Sequence, residues 1–173
     1  MPYWGMWPNS SGNLFPGYLV RSITNHSTGK WYYEMVFVVA AYIGQVGVGV
    51  DNDVESLSNA AGQVGSICWL GSGNVNYNAN LNAYSASPYL IGTILGVAVD
   101  LTDAKIWFYN GINWNNSGSA NPATNTGGFS ISAVVPNVYA LAQLSQVGDD
   151  VSANFTGTPA FTYGLPSGFS AWG

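Results

Sequence analysis

The chain has 173 residues, enough for one domain with a sizeable core and short for two. Three fixed cations (Arg21, Lys30 and Lys105) stand against eight carboxylates, and no basic stripe is present to neutralise nucleic-acid phosphates or an anionic membrane surface. The apolar segments are short and broken by Gly, Asn and Ser, well below the ~20 uninterrupted residues of a membrane-spanning helix, so neither nucleic-acid binding nor membrane insertion is expected.

Residues 1–12 carry Tyr3, Trp4, Met6 and Trp7 ahead of any strand pattern, with no basic n-region or apolar h-region of a signal peptide. Such an aromatic arm is a liability if exposed on a monomer, and its composition is that of an interface core. It is read as an assembly arm that folds back on the domain or docks on a neighbouring subunit. Residues 13–173 are then one β domain.

Strand patterns recur from there. They cover Tyr18 to Thr24, Lys30 to Val39, Tyr42 to Val50, Ser66 to Leu70, Ile94 to Leu101, Lys105 to Tyr109, Phe129 to Val134, Val138 to Ser145 and Val151 to Phe155. Turn signals fall roughly every 8–12 residues and no window sustains a helical apolar period, which predicts an all-β sandwich. In the second strand Trp31, Tyr33, Met35 and Phe37 share one face and Tyr32, Glu34, Val36 and Val38 the other. Both faces are largely apolar, so both are expected to be covered, by the chain itself or by a partner. Val46, Val48 and Val50 share a face opposite Gly47 and Gly49, whose missing side chains leave room for close approach.

The stretch from Ile94 to Asn116 holds an apolar run, an acidic turn and an aromatic strand, and closes on Asn110-Gly111, the strongest short hairpin signal. Two segments read as loops: the Asn-rich Asn74 to Ser87 and the Gly- and Asn-rich Asn113 to Gly128. Long loops within a small domain are often functional.

Chemistry-bearing residues are few. Cys68 is alone, so neither a disulfide framework nor a cysteine metal site is available. His26 is the sole histidine and lies in a turn by composition, which fits solvent exposure better than a catalytic base. Asp51 and Asp53, with Asp149 and Asp150, offer hard oxygen ligands for calcium, yet the twelfth residue from Asp51 is Gly62 and no EF-hand follows. Aspartates beside tight turns more often cap backbone N–H groups, so no metal or cofactor is expected. Asp53 and Glu55 put two carboxylates on one side of an extended segment, as glycoside hydrolysis would need, but they lie next to Ser and Asn in a loop. Tyr77, Tyr84, Tyr89, Trp69 and Trp114, interleaved with Asn74, Asn76, Asn78, Asn113 and Asn115, have the chemistry of sugar recognition. Aromatic rings also dominate sandwich cores, and Trp69 is expected to be one of those.

Five words stand in a fixed order: GKWYYEM (Gly29 to Met35), IGQVGVGV (Ile43 to Val50), ILGVAVDLTDAKIWFYNGINWN (Ile94 to Asn115), NPATNTGG (Asn121 to Gly128) and NFTGTPAFTYGLPSGFSAW (Asn154 to Trp172). Together they resemble the SPRY domain, in the variant met in bacteriophage virion proteins, from about Tyr18 onward. The segment Asn154 to Gly157 departs from the family's more usual Asn-Phe-Gly. The resemblance implies a bent antiparallel β-sandwich of jelly-roll type, acting as a binding module without general catalytic activity and holding partners on loops at one edge. It further implies a virion accessory protein, made in the host cytoplasm and carried on the capsid or tail exterior in a decoration or adhesion role. Its partners would be other virion proteins, copies of itself, or a host-surface glycan or protein. Asn110, Asn113, Trp114, Asn115, Tyr77, Asn78 and Tyr84 are the candidate partner-binding residues. A free lectin-like module and a glycan-degrading enzyme of related fold are the alternatives; the Glu-x-Asp-x-x-Glu strand of jelly-roll glucanases is absent.

Overall fold

The structure, a computed structural model, describes residues 18–52 and 64–173. The arm residues Tyr3, Trp4, Met6 and Trp7, and the acidic residues Asp53 and Glu55, lie outside the described residues. The strands are β1 (Tyr18–His26), β2 (Lys30–Val39), β3 (Gly47–Asp51), β4 (Ser66–Leu70), β5 (Asn74–Tyr77), β6 (Asn80–Ser85), β7 (Ile94–Asp100), β8 (Lys105–Tyr109), β9 (Phe129–Ser130), β10 (Val138–Leu144), β11 (Asp150–Asn154) and β12 (Ser170–Ala171). They form two layers. One sheet has the order β1-β10-β3-β4-β5-β6, and the other β11-β2-β7-β8-β9, with β12 lying parallel beside the start of β2. All other pairings are antiparallel.

The expected alternation builds the core. Val46, Val48 and Val50 from one sheet meet Tyr33, Met35 and Phe37 from the other, all within 1 % of full burial, with Trp69, Leu95, Val97 and Phe108 filling the space between. Burying each such side chain contributes on the order of 1.5–3 kcal/mol relative to leaving it in water. A Cβ on Gly47 would lie 2.4 Å from the Cys68 sulfur, so the glycine is what lets β3 and β4 approach on their outer face.

The second face of β2 is covered by the chain's own C-terminal segment. Tyr32 packs with Ala98, Trp107, Ala120 and Phe169, and half-buried Phe161 and Trp114 lie against them. Further along the same face the cover ends, and Val38 is 50 % exposed.

Three expectations about the strands are corrected. Tyr42 to Val50 is a strand only from Gly47 onward, because Ile43–Gln45 form a 3-10 turn in which the Gln45 N–H donates to the Tyr42 carbonyl. Asn74 to Ser87 is not a loop but the β5–β6 hairpin, turning through Asn78 and Ala79 at φ 48° and 66°. Those positive angles give the primed turn that hairpins favour. Phe129 to Val134 is a strand only over Phe129–Ser130, because Ile131 turns away and its carbonyl accepts the Val134 N–H.

Candidate functional site

The antiparallel order gathers one set of loops at one end of the sandwich: β2–β3, β6–β7, the segment after β8, and β10–β11. Asp149 ties two of them together. Its Oδ1 accepts the Ala41 N–H at 2.9 Å, while Oδ2 accepts from the Ser145 N–H (2.7 Å), the Ser145 hydroxyl (2.6 Å) and the Gln146 N–H. Burial alone would raise this carboxyl, but the hydrogen bonds outweigh it and hold it below the usual carboxylate range. Asn110 Nδ2 donates to the Pro88 carbonyl at 3.3 Å, and Ser87 donates to Asn116 at 2.8 Å, which fastens the segment after β8 to the β6–β7 loop.

This end is apolar. Of the eleven large hydrophobic side chains exposed among the described residues, seven lie here: Val38, Val39, Tyr42, Leu90, Ile91, Ile112 and Val147. Leu90 and Ile112 are each 73 % exposed. The charged side chains at this end, among the described residues, are Asp149 and Asp150, whereas Lys30 and Lys105 lie at the opposite end, beside Asp100 and Asp103. A partner docking here would strip water from little charge.

The candidate binding residues are not brought together. Asn110, Asn113 and Trp114 belong to the apolar end. Tyr77 and Asn78 sit at the far end of β5, where the Tyr77 hydroxyl accepts the Ala133 N–H and Asn78 accepts the Gly65 N–H. Tyr84 stacks on Phe129, with ring centroids 4.6 Å apart and planes 7° from parallel, and its hydroxyl reaches the Ser130 carbonyl. Tyr77 and Tyr84 thereby close the side seam between β6 and β9. Trp114 is half-buried, stacked on Tyr109 at 4.8 Å and edge-on to Tyr32. Asn115, named above as a candidate partner-binding residue in a loop, is instead buried, and its amide is engaged by Phe108, Ile106 and Gly127. Tyr77, Tyr84 and Trp114 are each partly buried and each packs against a neighbouring ring.

The remaining candidates are also engaged. His26 is not in an open turn; it ends β1, stacks on Trp31 at 3.5 Å, and its Nε2 lies 2.6 Å from the Trp172 carbonyl. Asp51 pairs with the guanidinium of Arg21, so a cation there would have to displace it. Among the described residues no three His, Cys, Asp or Glu side chains converge as metal ligands would. Burial raises the Cys68 thiol well above its ordinary value, so it stays protonated.

Two carboxylates are buried on the outer face of the second sheet. Asp100 pairs with Lys30 at 2.8 Å and caps the Thr102 and Asp103 N–H groups. Glu34 accepts the Tyr32 hydroxyl and the backbone N–H groups of Thr162 and Tyr163. The two lie four strand positions apart, about 13 Å at ~3.3 Å per residue, and each is turned into its own cage. Paired glycosidase carboxylates sit within ~9.5 Å, so these two cannot flank one glycosidic bond.

A separate cleft of about 310 Å³ opens between β1 and the end of β11, lined by Ser22, Ile23, Thr24, Phe155, Thr156, Trp172 and Gly173. No charged side chain lines it. No helix among the described residues is long and apolar enough to cross a membrane.

Neither a protein-family profile nor a curated protein sequence matches the chain. Solved structures do. The SPRY domain of human HERC1 superposes with a TM-score of 0.64 at 15 % identity, covering 86 % of each chain. A human SPRY domain gives 0.60 at 15 % identity, over 87 % of this chain and 96 % of that one. The PSpry domain of TRIM65 gives 0.54 at 14 % identity, over 79 % and 70 %. At these identities the likeness establishes the fold, which is SPRY-like.

Proposed function

We propose that this chain is a non-enzymatic recognition module that binds a protein partner through its apolar loop end, as an accessory protein on the exterior of a phage capsid or tail. The observation that carries the reading is the concentration of exposed Val38, Val39, Tyr42, Leu90, Ile91, Ile112 and Val147 on loops at one end, with two carboxylates and no cation beside them among the described residues. An uncharged, apolar surface held on a rigid sandwich fits a stable protein interface. The resemblance to the SPRY domain supports the choice of loops, since that family holds its partners at one edge. The virion setting draws on the phage-type order of the sequence words and on the charge-poor composition, and the arm of residues 1–12 is assigned a second attachment.

The reading is tested on purified particles of the phage that encodes the protein. Quantitative mass spectrometry is expected to find it at a fixed copy number matching the symmetry of the capsid or tail. Particles assembled with an Ile112→Asp or Leu90→Asp variant are expected to lack it, although both variants fold. Absence of the wild-type protein from particles defeats the virion reading. Undiminished incorporation of both variants defeats the assignment of the docking end.

A further inference from the structure

Asn110 is the one asparagine in the sequence that is followed by glycine, and it lies in the loop end described above. We propose that Asn110–Gly111 is a self-modifying site, at which the protein converts Asn110 to aspartate and isoaspartate and so places a negative charge on the apolar end as it ages.

The reaction is an intramolecular acyl transfer that needs only water. The backbone nitrogen of Gly111 attacks Cγ of Asn110 and gives its proton to solvent. The Cγ–Nδ2 bond breaks, Nδ2 takes a proton from water and leaves as ammonia, and a five-membered succinimide closes. Water then opens the ring. Cleavage of the Cγ–N bond gives aspartate; cleavage of the original peptide bond gives isoaspartate, with the backbone rerouted through the former side-chain carbonyl.

The fold arranges each reacting group. Gly111 is exposed and has no Cβ to obstruct its nitrogen. Its φ of +92° is one that glycine adopts freely. Among the described residues its N–H donates to no protein acceptor, so the nucleophile is not held in another bond. Asn110 Oδ1 accepts the Ile112 N–H at 3.3 Å, which sets a donor on the oxygen that gains charge during attack. Nδ2, the leaving group, is steadied by the Pro88 carbonyl at 3.3 Å.

Other asparagines lack this combination. Asn115 and Asn76 are buried away from the water that must open the ring, and Asn121 precedes a proline that has no N–H. Asn113 precedes Trp114, whose bulk crowds the attacking nitrogen.

The consequence for binding rests on the docking reading above. A carboxylate next to exposed Ile112 would have to shed its water when an apolar partner closes over it, so conversion weakens docking. The extra backbone methylene of isoaspartate would also disturb the Tyr109–Trp114 bridge that follows the turn.

The chemistry can be read without any partner. The full-length protein is aged in mildly alkaline buffer beside a sample held unfolded in urea, until the unfolded sample has converted at Asn110. Peptide mapping by mass spectrometry then follows the amide-to-acid mass gain, with chromatography resolving the isoaspartyl peptide. The folded protein is expected to have converted at Asn110 ahead of every other asparagine, and Asn110→Gln to remain unmodified there. An intact Asn110 in the folded sample overturns the proposal, whatever the docking end does. Aged wild type is also expected to join particles less well than freshly purified wild type. Equal incorporation of the two, while Ile112→Asp abolishes it, removes the effect on docking; indifference to Ile112→Asp removes the docking reading instead.

Discussion

Asn115 and Phe108 are joined by two hydrogen bonds of 2.8 Å, the Phe108 N–H donating to Oδ1 of the Asn115 side chain and the Asn115 N–H donating to the Phe108 carbonyl. Nδ2 of Asn115 donates onward to the carbonyls of Ile106 and Gly127. One side chain thus stands in for a strand residue along the open edge of β8. Asn115→Ala would strand the buried Phe108 N–H and two carbonyls, at roughly 1–3 kcal/mol for a buried group left unpaired. A loss of at least about 2 kcal/mol is expected by chemical denaturation. Asn115→Asp restores the acceptor but neither donor and should do no better. A stability within error of wild type for both variants would refute the surrogate role.

Glu34 performs a related task for the C-terminal segment. Its carboxylate caps the Thr162 and Tyr163 N–H groups and so holds Phe161 and Phe169 over Tyr32 and Trp107. Glu34→Ala is expected to raise amide exchange at Thr162 and Tyr163 strongly while β7 exchange stays slow, and to cost about 2–4 kcal/mol, since bonds to a charged acceptor are worth more than neutral ones. Glu34→Gln should fall between, because an amide accepts on one oxygen only. Unchanged exchange at Thr162 and Tyr163 in Glu34→Ala would show that the segment is held by packing alone.

Much of the fold was legible because apolar alternation is strong where the core is. Tyr33, Met35 and Phe37 read correctly as one face, and the run from Ile94 to Tyr109 matches β7 and β8 almost to the residue. The β5–β6 hairpin was hidden because asparagine is a poor strand former and its turn uses Asn78-Ala79 in place of Asn-Gly. Val75 and Tyr77 at alternate positions were the available signal, and Val75 is fully buried. The candidate site was less legible. Exposure separates a recognition ring from a packing ring, and composition does not encode it: Trp114 and Tyr84 carry the same chemistry whether they meet a sugar or a neighbouring side chain. The apolar end escaped notice for the reverse reason. Leu90, Ile91 and Ile112 are ordinary apolar residues that become a patch only when strand order brings their loops together.

The seam between β6 and β9 offers a test of the ring assignments. Tyr84→Ala removes a ring stacked on Phe129 and leaves a gap at the edge of the core. Because Tyr84 is half-buried, the expected loss is about 2–3 kcal/mol, below the range for fully buried aromatics. Tyr84→Phe gives up only a 3.4 Å hydrogen bond to Ser130 and should stay within about 1 kcal/mol of wild type. A Tyr84→Ala protein of undiminished stability would mean the ring is free for a ligand.

Asp149 should give the acid limb of stability a readable component. Its folded carboxyl lies below the unfolded value of ~3.9, because four hydrogen bonds to Ala41, Ser145 and Gln146 favour the charged form over the opposing cost of burial. A group depressed on folding contributes its full stability above the unfolded pKa and loses it as pH falls through the folded one. The advantage of wild type over Asp149→Asn should therefore be constant at neutral pH, begin to shrink near pH ~4, and vanish once both folded and unfolded carboxyls are protonated. Urea denaturation of both proteins across that range measures it directly. The β10–β11 turn should loosen in step, since protonation removes the acceptor that ties Ser145 and Gln146 to the Ala41 backbone. A stability difference that stays level down to the most acid buffer would mean that the carboxyl titrates alike in the folded and unfolded chains, and the turn would then owe its shape to local sequence and not to the charged carboxylate.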